Sequence, residues 1–159
     1  MKKLAVLFLA SLLLLATASA ETPDAVASAS VNSFYGGMTG DDLMNAINSY
    51  TGFYSISSVN PDGTPNVAFF IYGMAKAGDK YYVQLGISPN QTTANIENGS
   101  ALMAMYAAIP AEGATYPTTG ARMLLKKVED EALIAELLKN APEGYTPMYY
   151  EVTETRPLG

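Results

Sequence analysis

Apolar and polar residues alternate with a period of two through the middle of the chain, which predicts strands. Residues 53–59 (FYSISSV) set Tyr54, Ile56 and Ser58 against Phe53, Ser55, Ser57 and Val59. A turn at Asn60-Pro61-Asp62-Gly63 follows, with Pro61 fixing φ and Gly63 accepting a positive one. Residues 65–77 are almost continuously apolar, the pattern of a strand covered on both faces. Gly73 inside that run predicts a bulge, a barrel corner or the close approach of a ligand. Gly78-Asp79 makes a two-residue hairpin, and residues 80–87 alternate again, with Tyr82, Gln84 and Gly86 opposite Tyr81, Val83, Leu85 and Ile87.

The helical period appears at three places. Leu43, Met44, Ile47 and Tyr50 share one face behind Thr39 as N-cap, with Asp41 and Asp42 at the positive end of the dipole. A short polar helix is expected at 92–98, with Asn90 or Thr92 as its cap, and a longer one at 129–140 with Leu133, Ile134, Leu137 and Leu138 inward. Further strands are expected at 101–109, 122–128 and 148–155, around a loop at 111–120. Six mostly meandering strands with peripheral helices make a small closed or partly split β-barrel (α+β). An open α/β sheet is disfavoured, because the first three strands leave no room for crossover helices.

The N-terminus stands apart from this pattern. Lys2 and Lys3 precede an apolar run at 4–16 and an Ala18-Ser19-Ala20 site, the signature of a secretory signal at 1–20. The run falls short of the roughly 20 residues a spanning helix needs. A periplasmic or secreted location is therefore expected. Residues 21–33 read as a flexible leader and 34–159 as the folded domain.

Composition then removes whole classes of chemistry. The chain has no Cys and no His, which excludes disulfides, Ser–His and Cys–His hydrolases, and His-ligated zinc or haem. No metal site is expected. Without the signal, seven Lys and Arg face 15 Asp and Glu, a formal charge of −8. Nucleic acid and anionic membrane surfaces both demand clustered cations, so neither is expected as a partner.

A polar cluster after the third strand interrupts this apolar body, and with it the order of motifs resembles the pyridoxamine-5′-phosphate-oxidase-like FMN-binding split-barrel family. The resemblance rests on SISSVNPDGTPNV at 55–67, the strand YYVQLGI, and TTANIEN at 92–98. It implies a homodimer and bound FMN, with flavin-dependent oxidoreductase activity on a small molecule. It implies that Asn66, Val67, Ala68 and Phe69 contact the ring, that Gln84 lies near the ring or ribityl chain, and that Ser88, Gln91 and Thr92 face the phosphate. Where the family usually places Lys or Arg, Gln91 and Thr92 are neutral. Arg122, Lys126 and Lys127 are the cations available elsewhere, and the two lysines also suit a solvated strand edge. Tyr72 and Tyr106 stand out among eleven tyrosines as rings that could stack on a flavin. No residue is singled out as catalytic, and the His and basic residues that pyridoxamine-phosphate oxidation would need are not recognisable near the C-terminus. A second reading stays open: a non-catalytic binding or structural barrel that has lost FMN, or one holding a deazaflavin or a Tyr-ligated haem.

Overall fold

The computed structural model describes residues 35–86 and 88–159; the expected signal and leader lie outside the described residues. The elements are β1 (Tyr35–Gly37), α1 (Gly40–Asn48), β2 (Phe53–Val59), β3 (Pro65–Phe69), β4 (Gly73–Ala77), β5 (Lys80–Leu85), α2 (Gln91–Glu97), β6 (Leu102–Ala107), β7 (Thr118–Lys127), α3 (Glu131–Leu138) and β8 (Met148–Arg156).

Eight strands therefore replace the expected six. The run at 65–77 is two strands, and β1 adds a short parallel pairing to Thr118–Gly120 of β7. The remaining strands form one antiparallel sheet in the order β3-β2-β6-β7-β8-β5-β4. Chain neighbours β3 and β4 thus sit at opposite ends of that order, and only residues 70–72 join them. The sheet must curl until its two edges lie close enough for three residues to cross, yet the edges do not pair. This is a split barrel. Gly73 starts β4 just past the crossing. A Cβ there would come within 3.1 Å of both Gln84 Oε1 and the Tyr50 hydroxyl, so side chains already crowd the space that a larger residue would enter.

β3 also departs from the expected double burial. Val67 is 66 % and Phe69 84 % exposed, because no element among the described residues covers that face of β3, an edge strand whose partner is β2 alone.

The barrel interior is filled by alternate residues of each strand, among them Ile56, Met74, Val83, Leu85, Ala104 and Met123, with Leu43 and Ile47 of α1 closing one end. α1 is pinned from outside as well. Asn48 bonds both backbone groups of Met74, and Asp41 takes Lys76 Nζ and the Tyr81 hydroxyl at 2.8 Å each. These partners hold the Asp41 carboxyl below its usual range. Thr39, the expected cap, makes no side-chain capping bond. A second cluster, Tyr82, Val128, Leu137 and Tyr149, seats α3 against the outer side of the sheet.

Tyr72 and Tyr106, read as possible flavin platforms, are core residues at 1 % exposure each. They flank Tyr54 edge-to-face, with ring centroids 5.2 and 5.1 Å away. Tyr54 donates to the Ile47 carbonyl at 2.7 Å and Tyr106 to that of Thr51 at 3.0 Å. Burial pushes the Tyr54 phenol up to about 12 and raises those of Tyr72, Tyr106 and Tyr150 as well. A phenol whose pKa is higher folded than unfolded contributes stability that is complete below the unfolded value, about 10, and is lost as pH rises through the folded one. The thermal midpoint should therefore stay level from neutral pH to about 10 and fall steeply towards pH 12, in step with phenolate absorbance. A midpoint that is flat through that window would show that the tyrosines are not protected by the fold.

Candidate functional site

A groove of about 310 Å³ lies between the β3 edge and the segment that leads from β5 into α2. One wall is β3. Asn66 and Ala68 project on the same side as their cross-strand partners Ser58 and Ile56, towards the interior, and Phe69 and Phe70 continue that wall past the strand end. Gly86 and Ser88, which follow β5, and the start of α2 form the other side.

α2 begins here because Asn90 caps it, its Oδ1 accepting from the Thr93 amide at 3.0 Å, while the Thr93 hydroxyl ties back to the Ser88 carbonyl at 2.8 Å. The helix is held to the β2–β3 hairpin by polar rather than apolar contacts. Asn95, fully buried, donates to Ser58 Oγ at 2.9 Å and Asn60 Oδ1 at 2.8 Å, and accepts from Gln91 Nε2 at 2.8 Å. Asn66 Nδ2 reaches Ser58 Oγ and the Thr92 hydroxyl at 3.1 and 3.0 Å. A buried network of this kind fixes geometry provided each member is satisfied.

Six of the eight residues expected at the site thus line one groove: Asn66, Ala68, Phe69, Ser88, Gln91 and Thr92. Val67 does not, since it points from the other side of β3 into solvent. Gln84 does not either. It faces away from Val83 and Leu85, beside Gly73 and Tyr149. Burial raises the Tyr149 phenol and Gln84 opposes that shift, although no well-formed hydrogen bond satisfies the Tyr149 hydroxyl. Ser58, Asn60, Phe70 and Gly86 were not anticipated, whereas Asn95 belongs to the polar cluster expected after the third strand. The available signal was three serines, two of them adjacent, in a seven-residue strand.

Among the described residues the groove carries no formal charge: none of the nine that line it is acidic or basic. The cations lie elsewhere. Lys76 pairs with Asp41 and Lys80 with Glu151, at 2.8 and 2.7 Å. Arg156 pairs with Glu154, and Arg122 Nε donates to the Pro157 carbonyl. Lys126 and Lys127, set past a register shift in β7, both line a larger cavity of about 590 Å³ beyond α2, walled by Leu102, Leu125 and Tyr150 with Glu97 and Glu129 at its rim. The groove therefore suits a planar apolar ring at its β3 end. It does not suit a phosphate dianion at its α2 end.

No protein-family model matches the chain, and no curated protein does. Solved structures do. An FMN-binding protein from Syntrophomonas wolfei superposes with a TM-score of 0.50 at 14 % identity, over 74 % of this chain and 84 % of that one. HupZ of Group A Streptococcus gives 0.50 at 19 % identity, over 76 % and 94 %. A haem-binding protein from Mycobacterium smegmatis aligns at 0.45 and 13 % identity, over 72 % and 55 %. At such identities the likeness establishes the fold alone, the split-barrel architecture that this chain shares with those structures.

Proposed function

We propose that this is an exported split-barrel protein that pairs with a second copy of itself and holds a flavin ring in the groove beside β3, serving redox chemistry on a small molecule. One observation carries the reading. β3 offers a groove wall on one side and an uncovered apolar surface on the other, where Val67 and, past the strand, Ile71 are 66 and 75 % exposed, and Phe69, at 84 %, extends from that surface to the groove's rim. Bare edge strands and contiguous apolar patches are aggregation hazards unless a partner covers them. A second copy seated on this surface would cover the patch and close the groove from outside. A bound flavin would supply the electron transfer, and the chain would supply binding and orientation.

A second reading, a binding or structural barrel without flavin, is favoured by the uncharged groove. The two are separated by sedimentation and flavin titration of the protein lacking residues 1–20. The flavin reading expects a dimer that quenches flavin fluorescence on binding, and a Val67→Glu variant, altered outside the groove, that sediments as a monomer and quenches at least about tenfold more weakly. A colourless protein indifferent to flavins establishes the second reading instead.

A further inference from the structure

We infer that the groove selects an unphosphorylated flavin, a ring carrying a neutral ribityl chain, over FMN. This rests on the flavin reading above and adds the chemistry at the ligand's far end. A phosphate monoester carries roughly −1.5 to −2 charge at neutral pH. Taking that charge out of water is costly unless a cation pairs with it. The side chains at the α2 end of the groove are Ser88, Asn90, Gln91 and Thr92, all neutral. Three are already engaged within the chain: Asn90 accepts from Thr93, Gln91 donates to Asn95, and Thr92 accepts from Asn66. Gln91 keeps a second amide N–H and Thr92 its hydroxyl proton to donate, but neither supplies the positive charge that would offset a buried dianion. The excess of acidic over basic residues in the chain adds a repulsive background for any anion. A ribityl chain meets none of these costs. Its hydroxyls donate and accept, as do those of Ser88 and Thr92.

The test is fluorescence titration of the protein lacking residues 1–20 with riboflavin and with FMN, side by side at physiological ionic strength. Riboflavin is expected to bind at least about tenfold more tightly than FMN. Gln91→Arg and, independently, Ser88→Lys should each shift the preference towards FMN by about tenfold, with circular dichroism confirming that both variants fold. Ser88→Lys guards against the chance that losing the Gln91–Asn95 bond unfolds the helix. Equal affinities, or tighter FMN binding, overturn the selectivity while leaving the flavin reading intact. If neither flavin binds, both are overturned.

Discussion

Replacing Asn95 with Leu should cost about 3 kcal/mol of folding stability, read as a drop in the urea midpoint of the protein lacking residues 1–20. The volumes are similar, so little of the loss comes from packing. It comes from the groups left behind. Asn95 is fully buried, and its carboxamide is the partner of Ser58, Asn60 and Gln91 together. A buried donor or acceptor that loses its partner costs about 1–3 kcal/mol, and here the buried Ser58 hydroxyl and the half-buried Asn60 carboxamide each lose a donor, while the exposed Gln91 can turn to water. The damage should also be local. Gln91 and Thr92 lose the reference that places them at the groove, so flavin quenching should fall further than stability alone explains. Asn98→Ala is the control, because its exposed carboxamide bonds only the Ala94 carbonyl. If both variants unfold at the same midpoint, the network has no structural weight.

Gly120→Ala should be at least as damaging, by about 3 kcal/mol or more. Gly120 lies opposite Ala107 in the β6–β7 ladder and opposite Gly37 in the β1–β7 ladder. A Cβ there would overlap the Tyr106 carbonyl oxygen, with Ala107 Cα at 3.0 Å. Both obstacles are backbone, so no rotamer can yield and the strands must separate. Gly37→Ala provides the contrast: it sits in the same ladder, has nothing within 4 Å of its Cβ position, and should fold normally. Comparable soluble yield and thermal midpoint for the two variants would refute the steric argument.

The sequence made some of this legible and hid the rest for physical reasons. β2 was readable to the residue, since alternation and the Asn60–Gly63 turn bound it on one side and Gly52 on the other. The division of 65–77 was not readable. Phe70, Ile71 and Tyr72 remain apolar across the barrel corner, and Tyr72 is buried, so hydropathy continues where the strand does not. β1 has three residues and pairs with a segment about eighty positions away, a contact with no local signature. That same pairing draws Thr118–Gly120 into β7, although the Thr-Thr-Gly composition reads as loop. At the site, alternation already placed Gln84 on the face opposite Val83 and Leu85, so its assignment to the flavin came from family resemblance against the strand's own pattern. The groove residues on β3 and α2 were found because polar side chains clustered in an apolar chain need a reason. Their use as internal ties was invisible, because hydrogen-bond partners 26 to 37 positions apart leave no trace in spacing.

The three-residue crossing at 70–72 also constrains the order in which the chain assembles. β2–β3 and β4–β5 are hairpins with local contacts, and each forms without the other. They become neighbours across a slit only when β6 docks on β2 and β8 docks on β5, with β7 between them. The two early units are therefore held together by the last third of the chain. Folding must wait for that long-range meander, and its rate should follow the non-local β6 and β8 pairings more closely than the turns at Gly63 and Gly78.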